Sequence, residues 1–216
     1  MTGRLFLILG AAFLAACSDY IVPEGEITDR NMTIPGNIYE IEVGDGIKLV
    51  LDDGIPAGQA VIRTHENVQQ YIKAEFDRDD VIFTVDARRY KNLDVTVIAS
   101  LSQYRDFTAS GGSEIYSADA MLLDDASFDL SGGSTAVVAG ECRRADIDCS
   151  GGSNFSGYDL SVARADVDVS GGSVLSITVT EALTGENSGG SKIYYKGRPS
   201  ILNIENSGGS QTVACD

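Results

Sequence analysis

The tetrapeptide Ser-Gly-Gly-Ser begins at Ser110, Ser131, Ser150, Ser170, Ser188 and Ser207, at intervals of 21, 19, 20, 18 and 19 residues. So regular a recurrence marks a solenoid, in which one coil cannot bury its apolar face alone and must stack on its neighbours. Aligning the copies separates inside from outside. The residue before each motif is Ala109, Leu130, Cys149, Val169, Asn187 or Asn206, and the third residue before it is Phe107, Phe128, Ile147, Val167, Gly185 or Ile204. On the far side, Ile115, Ala136, Phe155, Leu175, Ile193 and Thr212 form another mostly apolar column. Alternation with polar neighbours is the period of a half-buried strand, so each motif joins two strands. Paired glycines take positive φ without a Cβ penalty, and the flanking serine hydroxyls can bond backbone groups at the bend. The motif is therefore a corner. Stacked in register at about 4.8 Å per coil, the five intervals span roughly 24 Å. The expected fold is all-β, a parallel β-helix or β-solenoid with about 18–21 residues per coil.

Residues 38–109 lack the motif but keep the alternation in IYEIEV, IKLVLDDG, QAVIRTH, YIKAEF, DVIFTVDA and LDVTVIA. They read as irregular early coils of one domain, 38–216, whose regular coils run from 110 to 216. A small sheet capping the start of the solenoid is the other arrangement this pattern allows.

Composition bounds the function. Of 216 residues, 32 are Asp or Glu and 16 are Lys or Arg, a formal charge of -16. Such a surface repels phosphate backbones, and no nucleic-acid partner is expected. The first residues belong to export: Arg4 is followed by the apolar run Leu5–Phe13, too short to span a bilayer stably, and by small residues. An ordinary secretory peptide would share those features. Leu14-Ala15-Ala16-Cys17, however, resembles the bacterial lipobox, which implies residues 1–16 as a lipoprotein signal peptide and Cys17 as the lipid-attachment site. The implied partner is a membrane, reached through the lipid anchor. Ser18 to Asn37, with Pro23, Gly25, Pro35 and Gly36, reads as a tether, so that 17–37 comprise lipidated cysteine and linker. Ser18 is not the Asp that retains some lipoproteins in the inner membrane, so the outer membrane is the expected place in the cell envelope.

The tandem corners, the approach LDVTVIASLSQYRDFTASGGSEI and the ending GGSKIYYKGRPSILNIENSGGSQTV resemble the head GIN domain family of bacterial auto-transporter adhesin heads over about residues 38–216. Members more often write the corner Gly-Ser-Gly. The resemblance implies a β-helical fold and adhesion, and it carries over no catalytic residue and no cofactor.

Several constellations bear on chemistry. Asp129, Asp148, Asp168, Glu186 and Glu205 occupy the second position before their motifs, and Asp106, Asp146 and Asp166 the fourth, all on the solvent side. Neighbouring charges about 4.8 Å apart repel by a little under ~1 kcal/mol in water. The column is therefore either a solvated acidic face or a face for a cation or partner, such as Ca²⁺, which takes oxygen ligands. Cys142 and Cys149 fall in inward columns, as core thiols or a disulfide, and Cys215 lies near the end. His65 has no imidazole partners, and Asp77, Asp79 and Asp80 fit a hairpin turn. The expected function is a non-catalytic, lipid-anchored adhesion or interaction module for a glycan or protein ligand. The alternatives are a carbohydrate-active β-helix enzyme, with Tyr116, Tyr158 and Tyr194 as sugar platforms, and a cation-dependent scaffold. Against the enzyme stand the absence of Trp and of long coil insertions that could wall a cleft.

Overall fold

A computed structural model describes residues 20–87 and 89–215. Its strands are β1 (Ile27–Thr33), β2 (Glu40–Val43), β3 (Lys48–Asp52), β4 (Gln59–His65), β5 (Ile72–Asp77), β6 (Asp80–Val85), β7 (Thr96–Ser100) and β8 (Asp106–Ala109) before the first motif. After it come β9 (Glu114–Ser117), β10 (Met121–Leu130), β11 (Thr135–Val137), β12 (Gly140–Cys149), β13 (Asn154–Val169), β14 (Val174–Asn187), β15 (Lys192–Lys196), β16 (Ile201–Asn206) and β17 (Gln211–Ala214). The protein is a β-solenoid, and the single helical element among the described residues is a 3₁₀ turn at Gln69–Tyr71.

Every Ser-Gly-Gly-Ser is a corner, with φ of 60 to 66° at its first glycine and 78 to 82° at its second. The two glycines serve different ends. A Cβ on the second would meet nothing within 4 Å, whereas one on Gly171 would lie 2.8 Å from the backbone N of Gly151 in the coil before it. The first-glycine column thus sets how closely coils approach, and the second needs only the left-handed backbone. The last serine of the motif is buried in five of the six corners, at Ser113, Ser134, Ser153, Ser173 and Ser191. Its hydroxyl donates back across the bend, as Ser134 Oγ does to Ser131 O and Ser191 Oγ to Ser188 O, both at 2.7 Å. It also accepts from the preceding coil, Gly172 N donating to Ser191 Oγ at 3.2 Å. Buried hydroxyls are thereby satisfied both within a coil and between coils.

Strands pair in register on either side of the corners. The preceding side stacks in the parallel order β6, β2, β8, β10, β12, the ends of β13 and β14, and β16. The following side stacks as β7, β3, β9, β11, the starts of β13 and β14, β15 and β17. A short third side closes the coil where Met121–Leu123 lies beside Gly140–Cys142 and that beside Leu160–Val162. The enclosed core is aliphatic with an aromatic stack: Phe107 and Phe128 lie 5.0 Å apart nearly parallel, and Phe155 meets Phe128 edge-on at 5.2 Å. Such pairs contribute about 0.5–1.5 kcal/mol each beyond the area they bury.

Residues 38–109 combine both arrangements that the alternation allowed. β2 and β3 form a coil whose corner is Gly44-Asp45-Gly46-Ile47, with Asp45 at φ 60° and Gly46 at φ 78°. In the stack this coil sits between β6–β7 and β8–β9, out of chain order. Beyond it, β5 pairs antiparallel with β6, β4 with β7, and β1 with β4, covering the end of the core. The tether expectation needs correcting for residues 20–37. Ile21 N donates to Arg89 O at 3.0 Å, Asn67 Nδ2 to Val22 O at 2.9 Å, and β1 is fully paired along β4. His65 ends β4 and its ring nitrogen bonds Gly25 O at 3.0 Å, so it fastens this same segment. The hairpin expectation for Asp77, Asp79 and Asp80 matches the Asp77–Asp80 pair at the β5–β6 turn.

Cys142 and Cys149 are free, buried thiols on one extended strand, β12, which holds them apart instead of bringing them face to face. Burial pushes the Cys142 thiol up to about 11 and the Cys149 thiol up to about 12.

Replacing Gly171 with Ala is expected to destabilise the fold by at least ~2 kcal/mol, because it combines left-handed backbone strain with a clash against Gly151, while Gly172→Ala costs only the strain, about 1 kcal/mol. Urea unfolding of the two variants checks the ordering, and equal losses would contradict the division of labour between the two glycines.

Candidate functional site

Coil stacking turns sequence columns into rows on two outer faces. On the side preceding the corners, Thr108 pairs with Asp129, Asp129 with Asp148, Asp148 with Asp168, Asp168 with Glu186, and Glu186 with Glu205. All five acids anticipated from the sequence therefore stand in one row, exposed. The second row, two residues back, contains Asp106, Asp146 and Asp166. Three members were not anticipated: Glu42 extends the first row through Thr108, and Glu40 and Asp80 extend the second through Asp106. For Glu40 and Glu42 a signal was present in Val43-Gly-Asp-Gly-Ile47, a corner with an acid in place of the first glycine, whereas Asp80 joins only through the β2–β6 pairing.

The face is electrostatically strained. Among the described residues no ion pair joins Asp129, Asp148, Asp168, Glu186 or Glu205 to a cation; the nearby pairs, Arg144 with Asp125 and Arg164 with Glu181, lie at the next corner. Partial burial, then hydrogen bonding and repulsion from Asp80, raise the Glu40 carboxyl from its ordinary 4.5 to about 7. Partial burial followed by repulsion from neighbouring carboxylates also raises Glu42 and Asp148. Asp106 is raised by burial too, against the opposing pull of Arg105. The carboxylates run along the stack and do not converge: among the described residues no three His, Cys, Asp or Glu side chains are placed to hold a metal ion together.

The face following the corners is different in kind. Tyr116, Val137, Ser156, Ser176, Tyr194 and Val213 pair in sequence across its strands. The parallel outer row Glu114, Thr135, Asn154, Val174, Lys192 and Gln211 carries one acid, Glu114. Lys48 lies over the Tyr116 ring at 4.4 Å. Tyr158 stands outside this row, under Lys196 at 4.3 Å and with its hydroxyl 3.6 Å from Cys215 Sγ. Of the three tyrosines weighed as sugar platforms, Tyr158 and Tyr194 are neighbours, and Tyr116 lies four strand steps from Tyr194. Cys17, the anticipated lipid site, lies outside the described residues.

Residues 38–199 match the family described as putative auto-transporter adhesin, head GIN domain. The chain belongs to this family. The match starts where the sequence resemblance was placed and stops before the last coil. Solved structures share the fold: a putative adhesin of Bacteroides fragilis NCTC 9343 aligns with a TM-score of 0.65 at 15% identity, over 90% of this chain and 100% of its own. A putative adhesin of Parabacteroides merdae ATCC 43184 aligns at 0.53 and 14% identity over 92% and 100%, and a putative lipid binding protein of Parabacteroides distasonis ATCC 8503 at 0.52 and 15% over 90% and 100%. Among curated proteins none matches the chain. Family membership supports an adhesion-type role at the cell surface or envelope.

The raised carboxyls make stability depend on pH. A group held above its ordinary value in the folded state is more protonated there than in the unfolded chain, so its contribution is present below 4.5 and is lost as pH rises toward about 7. Asp29 and Asp125, lowered by Arg63 and Arg144, lose their contributions only as pH falls below the ordinary 3.8. The melting temperature should therefore be higher at about pH 5 than at about pH 8 by on the order of a few degrees, and Glu40→Gln should shrink the difference. A melting temperature that climbs between these values would contradict the assignment.

Proposed function

We propose that the protein is a lipid-anchored adhesin of the bacterial envelope that acts without catalysis and holds a glycan or protein partner along the face following its corners. The observation that carries this reading is the row from Tyr116 to Val213. It offers one shallow, uncharged or aromatic contact per coil on a flat sheet, and linked weak contacts sum to avidity without a deep pocket. Tyr and Ser suit that task, because tyrosine brings contact area at low entropic cost and serine adaptable hydrogen bonds. The face preceding the corners supplies selectivity by repulsion: its two acidic rows disfavour anionic partners and leave the Tyr116–Val213 face as the approachable one. The Cys17 anchor and the outer-membrane placement belong to this proposal, supported by the lipobox resemblance and by the envelope role of the family.

Binding of the purified solenoid to a panel of envelope and host glycans and matrix proteins tests the reading. For any ligand found, Val137→Lys and Tyr194→Glu, both reaching solvent, should each weaken binding about tenfold, the loss of ~1.4 kcal/mol. Asp148→Asn with Asp168→Asn should leave it within about twofold. Retained affinity in the row variants, or release of reducing ends from a bound glycan, would overturn the assignment.

A further inference from the structure

Exposed apolar side chains occur at Leu122 and, in the last coil, at Ile201 and Leu202, but at the capped end they adjoin the point where the chain enters the fold. Tyr20 is 44% exposed, Val22 51%, Ile27 on β1 56% and Phe76 on β5 44%. β1 and β5 are the outermost strands of the cap, so these apolar side chains fringe a single end. Tyr20, Ile21 and Val22 border a concavity floored by Tyr71 and Ala87. Charges of both signs surround it. Lys91 Nζ stands 4.8 Å and the Arg89 guanidinium 5.9 Å from the centre of the Tyr20 ring, while Glu24 and Asp86 line the same hollow.

From these features we infer that the capped end docks on the bilayer itself, with Tyr20, Val22, Arg89 and Lys91 seated among zwitterionic phospholipid headgroups. The inference rests on the proposed anchor at Cys17. Only Ser18 and Asp19 separate that residue from Tyr20, which is already fastened to the body through Ile21. Three Cα spacings reach at most about 11 Å. A headgroup layer is roughly 5–8 Å deep, so an acylated Cys17 leaves Tyr20 no route far from it. Aromatic rings with a polar tip favour this depth, as do cations whose stems lie along apolar surface. Both halves of a phosphatidylethanolamine headgroup find partners: Arg89 and Lys91 for the phosphate, and Glu24 for the ammonium, beside Asp86, which pairs with Lys73 at 3.5 Å. The acidic rows, by contrast, fit poorly against phosphate. The bilayer therefore meets the end of the stack and not its side, and the coils lead away from the membrane toward β16 and β17.

The chain has no Trp, so one introduced residue is a clean reporter. Full-length lipoprotein carrying Tyr20→Trp is reconstituted in vesicles of phosphatidylethanolamine and brominated phosphatidylcholine, with Tyr194→Trp as the distal comparison. Mass spectrometry of the same preparations reports acylation of Cys17. The expected result is quenching of Tyr20→Trp by at least about twofold with Tyr194→Trp unchanged, and weaker quenching when Arg89→Glu and Lys91→Glu are added. An acylated protein in which Tyr20→Trp is unquenched, or in which both reporters are quenched alike, overturns the docked end and leaves the anchor standing. An unmodified Cys17 removes the anchor and the inference together.

Discussion

The closeness of one coil to the next depends on a single backbone contact, repeated. The first glycine of each corner faces the peptide nitrogen of its counterpart in the neighbouring coil, and at five of the six a methyl group would come within 2.8–3.1 Å of that nitrogen. Everything else follows from that approach. It permits parallel pairing on both sides of the corner, it brings Phe107 onto Phe128 within stacking distance, and it lets the buried serine of one coil accept a hydrogen bond from the backbone of another. Register is then over-determined, because a slip of one residue would send an entire inward column to solvent.

The same approach turns sequence columns into surface rows. A residue type that recurs at one offset from the motif becomes a stripe along the molecule, and the two sides of the corner carry opposite characters: carboxylates on one, tyrosine, serine and valine on the other. Partial burial, and then repulsion among stacked carboxylates, raise the Glu40 and Asp148 carboxyls and cost stability. The fold tolerates that cost because the aliphatic core and the coil-to-coil hydrogen bonds run the full length of the stack. An acidic side and an approachable side make the solenoid directional in cross-section, and a capped entry end makes it directional along its axis.

The regular coils were legible because their signal is periodic. Glycine pairs, inward columns and the five acids all keep fixed offsets, so stacking could be written down before any coordinate. The early region was legible as strands but not as topology. Asp45 adopts the left-handed conformation that a short polar side chain allows, and its carboxylate accepts from Val85 N at 3.0 Å, an interaction of a coil with no glycine corner beneath it. With the motif broken there, nothing in the local pattern revealed that β2 and β3 lie between β6–β7 and β8–β9. The Gly-Asp-Gly corner was a signal for Glu40 and Glu42, but without the stacking order neither they nor Asp80 could be given a place in the acidic rows. Residues 20–37 misled differently: Pro and Gly suggested a free linker, but their partners, Asn67 and Arg89, are far away in sequence and leave no local trace.

The central claim, that equivalent residues of successive coils lie directly over one another, is open to a distance measurement. Spin labels at Glu114 and Gln211, outward positions in the same row five coils apart, can be read by double electron–electron resonance, with Cys17→Ser and Cys215→Ser leaving only the two buried thiols. In-register stacking places the two backbones about 24 Å apart with a narrow distribution. A broad distribution, or a separation well beyond about 35 Å, would contradict the stack and the rows built on it.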